Sequence, residues 1–293
     1  MHVFVTGASG WIGSATVTEL LRHGHRVTGL ARSDAAADRI TALGAEVRRG
    51  TIDDPEVLRA GAAESDGVVH LGYNHDFSQM AAAAATDRAA ITALADGLDG
   101  TGRPLLIASG VLGLGHGDIV TEQDIPTDGA HPRIATAVAT LALADRGVRP
   151  LIARFAPTVH GRGDHGFVAE LVRIAKVKGL SAYVGDGASH WPAVHVLDAA
   201  ALIRLAVEDA PAGTILHATA EEGLRSRDIA SAIGQGLGLP VESVPLDRAD
   251  EHFGWIGRLF AIDSRASSEA TQQLLGWKPA HPTLFEDLPH YFA

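Results

Sequence analysis

The sequence contains no cysteine among its 293 residues. Disulfide bonds, thiolate nucleophiles and cysteine-ligated metal centres are therefore excluded, and the thiol content gives no information about the compartment. No apolar run reaches the length of a membrane-spanning helix, and no basic segment followed by an apolar stretch precedes the first predicted strand. We therefore expect a cytoplasmic protein without a membrane partner.

Basic residues are also in the minority. Lysine and arginine total 24 against 35 aspartates and glutamates, which gives a formal net charge of −11. Because a polyanion is repelled by such a balance, we expect no nucleic-acid partner. Fifteen histidines are present, but none forms a His-Glu-x-x-His or comparable metal-binding spacing, so no metal site is predicted.

Short apolar runs alternate with amphipathic stretches through the first half of the chain. This alternation is typical of βαβ units in a parallel sheet. The predicted strands are residues 2–6, 26–31, 45–49, 67–71, 104–109, 150–154 and 214–217. The predicted helices are residues 11–23, 34–43, 55–63, 77–98, 132–146 and 167–177, with another from residue 198 and helices prevailing after 218. Residues 185–196 are expected to be irregular.

This order of elements predicts an α/β fold, a doubly wound parallel sheet of the Rossmann type with a smaller, mostly helical substrate lobe. We expect residues 1–160 to form the nucleotide-binding domain, with about 192–218 returning to it. Residues 161–191 and 219–293 are expected to form the substrate-binding lobe.

A glycine-rich loop of sequence TGASGWIG follows the first strand and opens the first helix. Gly7 allows a tight turn, Gly10 lets the backbone approach a pyrophosphate, and Gly13 permits close packing of helix on strand. The backbone amides at the helix start then face the phosphates, where the helix dipole favours an anion. The loop residues predicted to contact the cofactor are Gly7, Ser9, Gly10, Trp11, Ile12 and Gly13.

The second strand ends at Arg32 and Ser33. An NAD-preferring protein usually has an acidic residue here, which accepts a hydrogen bond from the ribose 2′-hydroxyl. A guanidinium instead pairs with a 2′-phosphate, so NADP is predicted as the cofactor. Asp34 is interpreted as the cap of the next helix, and a solvated surface charge is the alternative interpretation of Arg32.

The loop, together with further segments along nearly the whole chain, resembles the short-chain dehydrogenases/reductases, in particular the extended and atypical branch that contains NAD(P)-dependent epimerases and dehydratases. The resemblance implies that Thr51 and Ile52 lie near the adenine, Leu71 and Gly72 under the ribose, and Phe155, Thr158 and Val159 beside the nicotinamide. It also implies that Ser109 ends the strand that normally carries a catalytic Ser or Thr, and that His195 and Asp198 brace the substrate lobe.

The family's catalytic pair, Tyr-x-x-x-Lys, is absent. Tyrosines occur only at 73, 183 and 291, and none is followed by lysine four residues later. Counting back from residue 154 puts Gly129 near the tyrosine position and Arg133 near the lysine position. An arginine stays protonated, so Arg133 is expected to contact the nicotinamide ribose rather than to act as an acid.

Other groups are candidates for the missing phenol. Ser109 lies at the carboxyl end of the fifth strand, where a doubly wound sheet places its ligand crevice, and Tyr73 follows the end of the fourth. His75, His131 and His160 are further candidates for proton transfer. For each of these residues, packing or capping remains the alternative, and water or a substrate hydroxyl could also deliver the proton.

The leading functional prediction is an NADPH-dependent reductase of a ketone or similar carbonyl on a small molecule. A sugar-nucleotide epimerase or dehydratase and a non-catalytic NADP-binding regulator are the alternatives. Six aromatic residues are candidates for the wall of an apolar pocket or for the core: Phe167, Tyr183, Trp191, Phe253, Trp255 and Phe260. A homodimer through the two long alanine-rich helices is a further prediction.

Overall fold

The computed structural model describes residues 1–74, 80–115, 118–126 and 132–292. The strands are β1 (His2–Thr6), β2 (Arg26–Ala31), β3 (Glu46–Arg49), β4 (Gly67–His70), β5 (Pro104–Gly110), β6 (Ile119–Val120), β7 (Arg149–Phe155), β8 (Thr158–His160), β9 (Ser181–Val184), β10 (His190–His195), β11 (Thr214–Ala218), β12 (Glu221–Arg225), β13 (Val241–Val244) and β14 (Arg265–Ala266).

The α-helices are α1 (Trp11–Arg22), α2 (Asp34–Ala42), α3 (Pro55–Ala63), α4 (Met80–Leu98), α5 (Pro132–Thr140), α6 (Phe167–Lys178), α7 (Val196–Asp209), α8 (Ser226–Leu237), α9 (Ala249–Phe253), α10 (Gly257–Phe260), α11 (Glu269–Leu275) and α12 (Leu284–Asp287). Short 3₁₀ helices cover Leu141–Arg146, Leu246–Arg248, Gly254–Ile256 and Leu288–Tyr291. The helix predicted for residues 132–146 is therefore α5 continued by a 3₁₀ segment, and the start predicted at residue 77 lies outside the described residues.

A seven-stranded parallel sheet forms the centre of the fold, in the order β11-β7-β5-β4-β1-β2-β3. The chain builds outwards from β1 through β2 to β3, then returns to place β4 on the other side of β1. The carboxyl ends of β1 and β4 therefore flank the point where strand order reverses, which is where doubly wound sheets bind ligands. The predicted fold class is confirmed.

Apolar side chains cover both faces of this sheet, as a parallel sheet requires. On one face, Val3, Val5, Leu106 and Leu151 pack with residues of α1 and α7. On the other face, Phe4 packs with residues of α3 and α4. Because helices shield both faces, the sheet's carboxyl edge is held rigidly.

The residues beyond the central sheet form a second apolar cluster around Trp191, Phe253 and Phe260, packed among α6, α8, α9 and α10. Two small sheets belong to this region, in the orders β12-β10-β8 and β13-β9. Strand β10 lies within residues 185–196, which were expected to be irregular. Residues 191–195 of this strand are buried on both of its faces, so the sequence shows no alternation of apolar and polar residues. In addition, Pro192 lies where the pairing with β12 shifts in register.

Helices α4 and α5, the predicted dimer helices, pack against each other and expose alanines such as Ala85 and Ala135. Dimerisation through them remains a prediction. Within the part of the chain that the structure covers, no helix is long and apolar enough to cross a membrane.

Candidate cofactor and active site

The glycine loop packs its backbone against the residues that follow β4. Gly7 has a φ of +66°, and a Cβ added there would lie 2.8 Å from the amide nitrogen of Gly72 and 2.8 Å from the carbonyl carbon of Leu71. Only glycine fits this position, because both the conformation and the space exclude a side chain. The turn is closed by the amide of Gly10, which donates to the carbonyl of Gly7 over 2.9 Å.

The same loop opens α1. A Cβ on Gly13 would lie 2.0 Å from the carbonyl oxygen of Gly7, so the helix approaches the loop too closely for any other residue. The amides of Trp11, Ile12 and Gly13 belong to the first turn, where a helix supplies no acceptor of its own. Gly10 is exposed and Ser9 half-buried beside them. This arrangement suits a pyrophosphate.

The indole of Trp11 connects the loop to the opposite wall of the crevice. Its Nε1 donates to the carbonyl oxygen of Val159 in β8 over 2.7 Å. The preceding residues of that wall, Phe155 and Thr158, are buried. The structure thus brings together the segments that the sequence analysis expected to bind the phosphates and the nicotinamide.

Arg32 follows the end of β2 and is exposed, and its guanidinium makes no hydrogen bond or ion pair to any other residue in the described part of the chain. Ser33 is the N-cap of α2, with its hydroxyl accepting from the amide of Ala36 over 3.2 Å. The interpretation of Asp34 as the cap was wrong, because Asp34 already has helical geometry. Its carboxylate pairs instead with Arg49 over 2.6 Å.

Thr51 and Ile52 differ in what they offer a ligand. Both the amide and the hydroxyl of Thr51 donate to the Asp54 carboxylate, at 2.7 and 3.1 Å. Its hydroxyl therefore stabilises a turn. Ile52 is half-buried, and a Cβ built on Gly72 would lie 3.0 Å from its methyl group. Leu71 packs against the core beneath.

Ser109 lies near the carboxyl end of β5, beside Arg154 of β7. Its side chain is 4% exposed, and its hydroxyl forms no hydrogen bond with another described residue. A strand-end hydroxyl in this position usually finds a protein partner. Ser109 therefore keeps a free donor and acceptor at the edge of the sheet where ligands bind.

Tyr73 and Arg133 form a stacked pair at the ends of β4 and α5. The guanidinium carbon of Arg133 lies 4.0 Å from the centre of the Tyr73 ring. Burial raises the pKa of the Tyr73 phenol, and the Arg133 charge opposes this only in part. Burial also lowers the pKa of Arg133, while the charge of Asp87 raises it. Tyr73 is therefore held protonated, unlike a phenol whose pKa is lowered for acid catalysis.

His160, the histidine candidate that lies within the described residues, is paired elsewhere. His160 is fully buried, and its Nδ1 lies 2.7 Å from the Asp287 carboxylate. His195 lies 3.5 Å from the same carboxylate and stacks on His281. These groups hold α12 against the small sheet. His75, His131 and Gly129 lie outside the described residues.

The aromatic candidates divide between core and surface. Trp191, Phe253 and Phe260 are buried in the second apolar cluster, whereas Trp255 is 48% exposed. Phe167 links the two groups, with ring centroids 5.5 Å from Trp191 and 5.6 Å from Trp255. Tyr183 is half-buried, with Arg227 5.6 Å from its ring.

The sequence profile of the NAD dependent epimerase/dehydratase family matches residues 3–217. The chain belongs to this family. An uncharacterized protein of Schizosaccharomyces pombe is 46% identical over 98% of both chains. A ketoreductase of Stigmatella aurantiaca that acts on 4-hydroxy-2-methyl-3-oxo-4-farnesyl-3,4-dihydroquinoline-1-oxide is 27% identical, over 87% of this chain and 80% of its own.

A solved relative supports the same fold. The dTDP-glucose 4,6-dehydratase of Streptomyces venezuelae, solved with NAD bound, superimposes with a TM-score of 0.78–0.79 at 21% identity, over 100% of this chain and 96% of its own. Members of the epimerase/dehydratase family bind a nicotinamide dinucleotide, and the chain is an oxidoreductase-type member of it.

Two residues beside the site were missed by sequence reasoning. Asp87 in α4 and His70 in β4 are both buried, and His70 Nε2 lies 3.2 Å from the Asp87 carboxylate. His70 lies in segment 68–72, which resembles the family's segment under the ribose, but no role was predicted for it, and Asp87 lies in no motif. An aspartate in the middle of an alanine-rich helix was the available signal, since a carboxylate on a buried helix face requires a partner.

Proposed function

We propose that this protein is an NADPH-dependent reductase of a ketone or similar carbonyl on a small molecule. The observation that carries the proposal is the crevice at the ends of β4 and β5, with the free hydroxyl of Ser109 and a protonated phenol at Tyr73. The Ser109 hydroxyl is a hydrogen-bond donor, and a carbonyl oxygen is an acceptor that suits it.

The cofactor preference rests on the second strand. Arg32 is an exposed guanidinium without a partner among the described residues, at the strand end where a Rossmann fold binds the adenosine ribose of its cofactor. Arg49 lies on the neighbouring strand. A 2′-phosphate would give the Arg32 cation a charge-assisted bond. When bound, NADPH supplies the hydride. The residues of this chain supply the anion site, the orientation of the carbonyl and the closed crevice.

Reduction is favoured over epimerisation by the protonation state of the site. Epimerases and dehydratases must first remove a proton from a substrate hydroxyl, which needs a base. A phenol whose pKa is raised stays protonated and so cannot take up that proton, and the arginine beside it does not accept protons. The ketoreductase of Stigmatella aurantiaca is consistent with this direction of chemistry.

The test is NADPH oxidation, followed by absorbance, with a panel of aliphatic, cyclic and aromatic ketones. We expect turnover of at least one class, faster with NADPH than with NADH, and roughly ten- to a thousandfold slower in Ser109→Ala. Tight NADPH binding without oxidation by any ketone would instead support a regulator. NAD that stays bound through purification would support an epimerase or dehydratase.

A further inference from the structure

A chain of buried polar groups runs from the first strand to the fourth helix, directly behind the glycine loop. Thr6 Oγ1 lies 2.7 Å from His70 Nδ1, and His70 Nε2 lies 3.2 Å from the Asp87 carboxylate. The amide of Gly72 donates to Thr6 Oγ1 over 3.0 Å. All three residues are at most 4% exposed.

The direction of these hydrogen bonds follows from the chemistry of the groups. An ionised carboxylate only accepts, so His70 Nε2 must carry the proton that it shares with Asp87. In the neutral imidazole, Nδ1 then accepts from the Thr6 hydroxyl. Each donor in this series of hydrogen bonds thus has an acceptor, and the last acceptor is the buried carboxylate of Asp87 on α4.

That charge lies where α4 packs against α5. The next residue, Arg88, reaches across to the hydroxyl of Thr136 over 3.5 Å. Thr136 is three residues after Arg133, so both lie on the same face of α5. Arg133 in turn stacks on the ring of Tyr73, which follows the strand that carries His70. Asp87 is the carboxylate whose charge acts on both members of this pair.

We propose that Asp87 is a positioning residue, which the buried Thr6–His70–Asp87 chain fixes in place so that its charge holds Arg133 over Tyr73 at the nicotinamide end of the cofactor site. The proposal rests on the proposed function where it places Arg133 at the cofactor. The position of the Arg133 guanidinium then depends on β1 through Thr6. Because the glycine loop follows the same strand, β1 supports both the proposed phosphate site and the proposed nicotinamide site.

The first test needs no turnover and no cofactor. Tyrosine labelled with ¹³C at Cζ gives one signal for each of Tyr73, Tyr183 and Tyr291, assigned by Tyr73→Phe, and each signal is followed against pH. The charged groups of the described elements that act on Tyr73 are Arg133, which stacks on its ring, and Asp87. Asp87→Asn removes a neighbouring negative charge, so the Tyr73 midpoint should move to lower pH, and Asp87→Glu should restore it.

Two controls separate charge from structure. His70→Gln keeps an amide donor for Asp87 and leaves its charge in place, so the Tyr73 midpoint should stay close to that of the wild type. Glu122→Gln removes a different buried carboxylate, one that accepts from Thr271, and should also leave it unchanged. A Tyr73 midpoint that does not move in Asp87→Asn, or moves equally in His70→Gln, overturns the proposal.

The second test is a double-mutant cycle on NADPH affinity. Asp87→Asn alone should weaken binding roughly three- to tenfold, by loosening one charged contact. In an Arg133→Met background the same change should have no further effect, because Asp87 acts through Arg133. Additive losses overturn the proposal. If ketones are not reduced but the tyrosine midpoint moves and the cycle is non-additive, only the proposed reductase activity fails.

Discussion

The Trp11 indole nitrogen donates a 2.7 Å hydrogen bond to the carbonyl oxygen of Val159 and so ties the first turn of α1 to strand β8. This bond joins the glycine loop to the segment that we propose for the nicotinamide. Since 148 residues separate the two partners, their contact depends on completion of the central sheet.

Trp11→Phe should therefore weaken NADPH binding while leaving the fold intact. Loss of one neutral hydrogen bond costs about 1 kcal/mol, which corresponds to roughly a fivefold increase in Kd. Trp277 provides a matched control, because its indole makes a similar 3.0 Å bond to the carbonyl of Asp198 away from the glycine loop. Trp277→Phe should lower Tm without changing Kd. An equal effect of both variants on Kd would contradict the bridging role of Trp11.

The exposed guanidinium of Arg32 gives the cofactor preference a direct test. Arg32→Glu places a carboxylate where the 2′-phosphate is expected and should reduce NADPH affinity by several-fold to a hundredfold, on the order of 1–3 kcal/mol. NADH affinity should change little. Arg22→Glu alters the net charge equally at the opposite end of α1 and serves as the control. Titration calorimetry that finds equal NADPH affinity in wild type and Arg32→Glu would refute the assignment.

Ser109 should matter for turnover and not for stability. Its hydroxyl has no partner to lose within the described chain, so Ser109→Ala should leave Tm nearly unchanged. If the hydroxyl orients the carbonyl, kcat should fall by roughly ten- to a thousandfold. Ser181 is also buried, but its hydroxyl donates to the carbonyl of Ala230 over 2.7 Å. Ser181→Ala should show the reverse pattern, a lower Tm with kcat preserved. An unchanged kcat in Ser109→Ala, or an equal fall of kcat in both variants, would argue against a role for Ser109.

Acid should destabilise the protein through its buried histidines. Burial lowers the pKa of His195, His217 and His252 below the ordinary 6.5. Unfolding therefore takes up protons at these residues, so the stability that they contribute is present above pH 6.5 and is lost as the pH falls through their lowered values. Burial raises the pKa of Glu221 above its ordinary 4.5 and that of Asp164 above its ordinary 3.8. The stability that these two carboxyl groups contribute is therefore present at low pH and is lost as the pH rises from the ordinary values through the raised ones.

A comparison of variants isolates the histidine contribution. Tm should be recorded between pH 8 and 5 for the wild type, for His252→Gln, and for the exposed control His290→Gln. His252→Gln removes a group whose imidazole Nε2 is buried without a partner in the described chain, so its Tm should depend less on pH. The His290→Gln curve should run parallel to that of the wild type. A His252→Gln curve with an unchanged slope would show that His252 does not contribute.

The parts of the fold that could be predicted are those that depend on short segments of the sequence. Three glycines at fixed spacing, between an apolar run and an amphipathic stretch, identify the loop at Gly7, Gly10 and Gly13 because each position has a steric requirement of its own. The strands of the central sheet were equally visible, since they are short apolar runs between helices. These features need no knowledge of distant contacts.

The polar network behind the site could not be predicted in this way. His70 and Asp87 are 17 residues apart in different elements, and Asp287 reaches His160 across 127 residues. Nothing in the local sequence indicates such partners, because the pairing is decided by packing of complete elements. Prediction also failed at short range, at the start of α2. Both Ser33 and Asp34 have side chains that suit an N-cap, and the backbone conformation, which makes Ser33 the cap, is not evident from the sequence.

Asp287 also has a consequence for how the protein is made. Its carboxylate, near the end of the sequence, is the partner of two imidazoles that are synthesised about a hundred residues earlier. During synthesis, His160 and His195 therefore lack this carboxylate until after all strands of the central sheet have been made. A chain cut before residue 287 should therefore keep all strands of the central sheet but lack the carboxylate that joins α12 to β8 and β10.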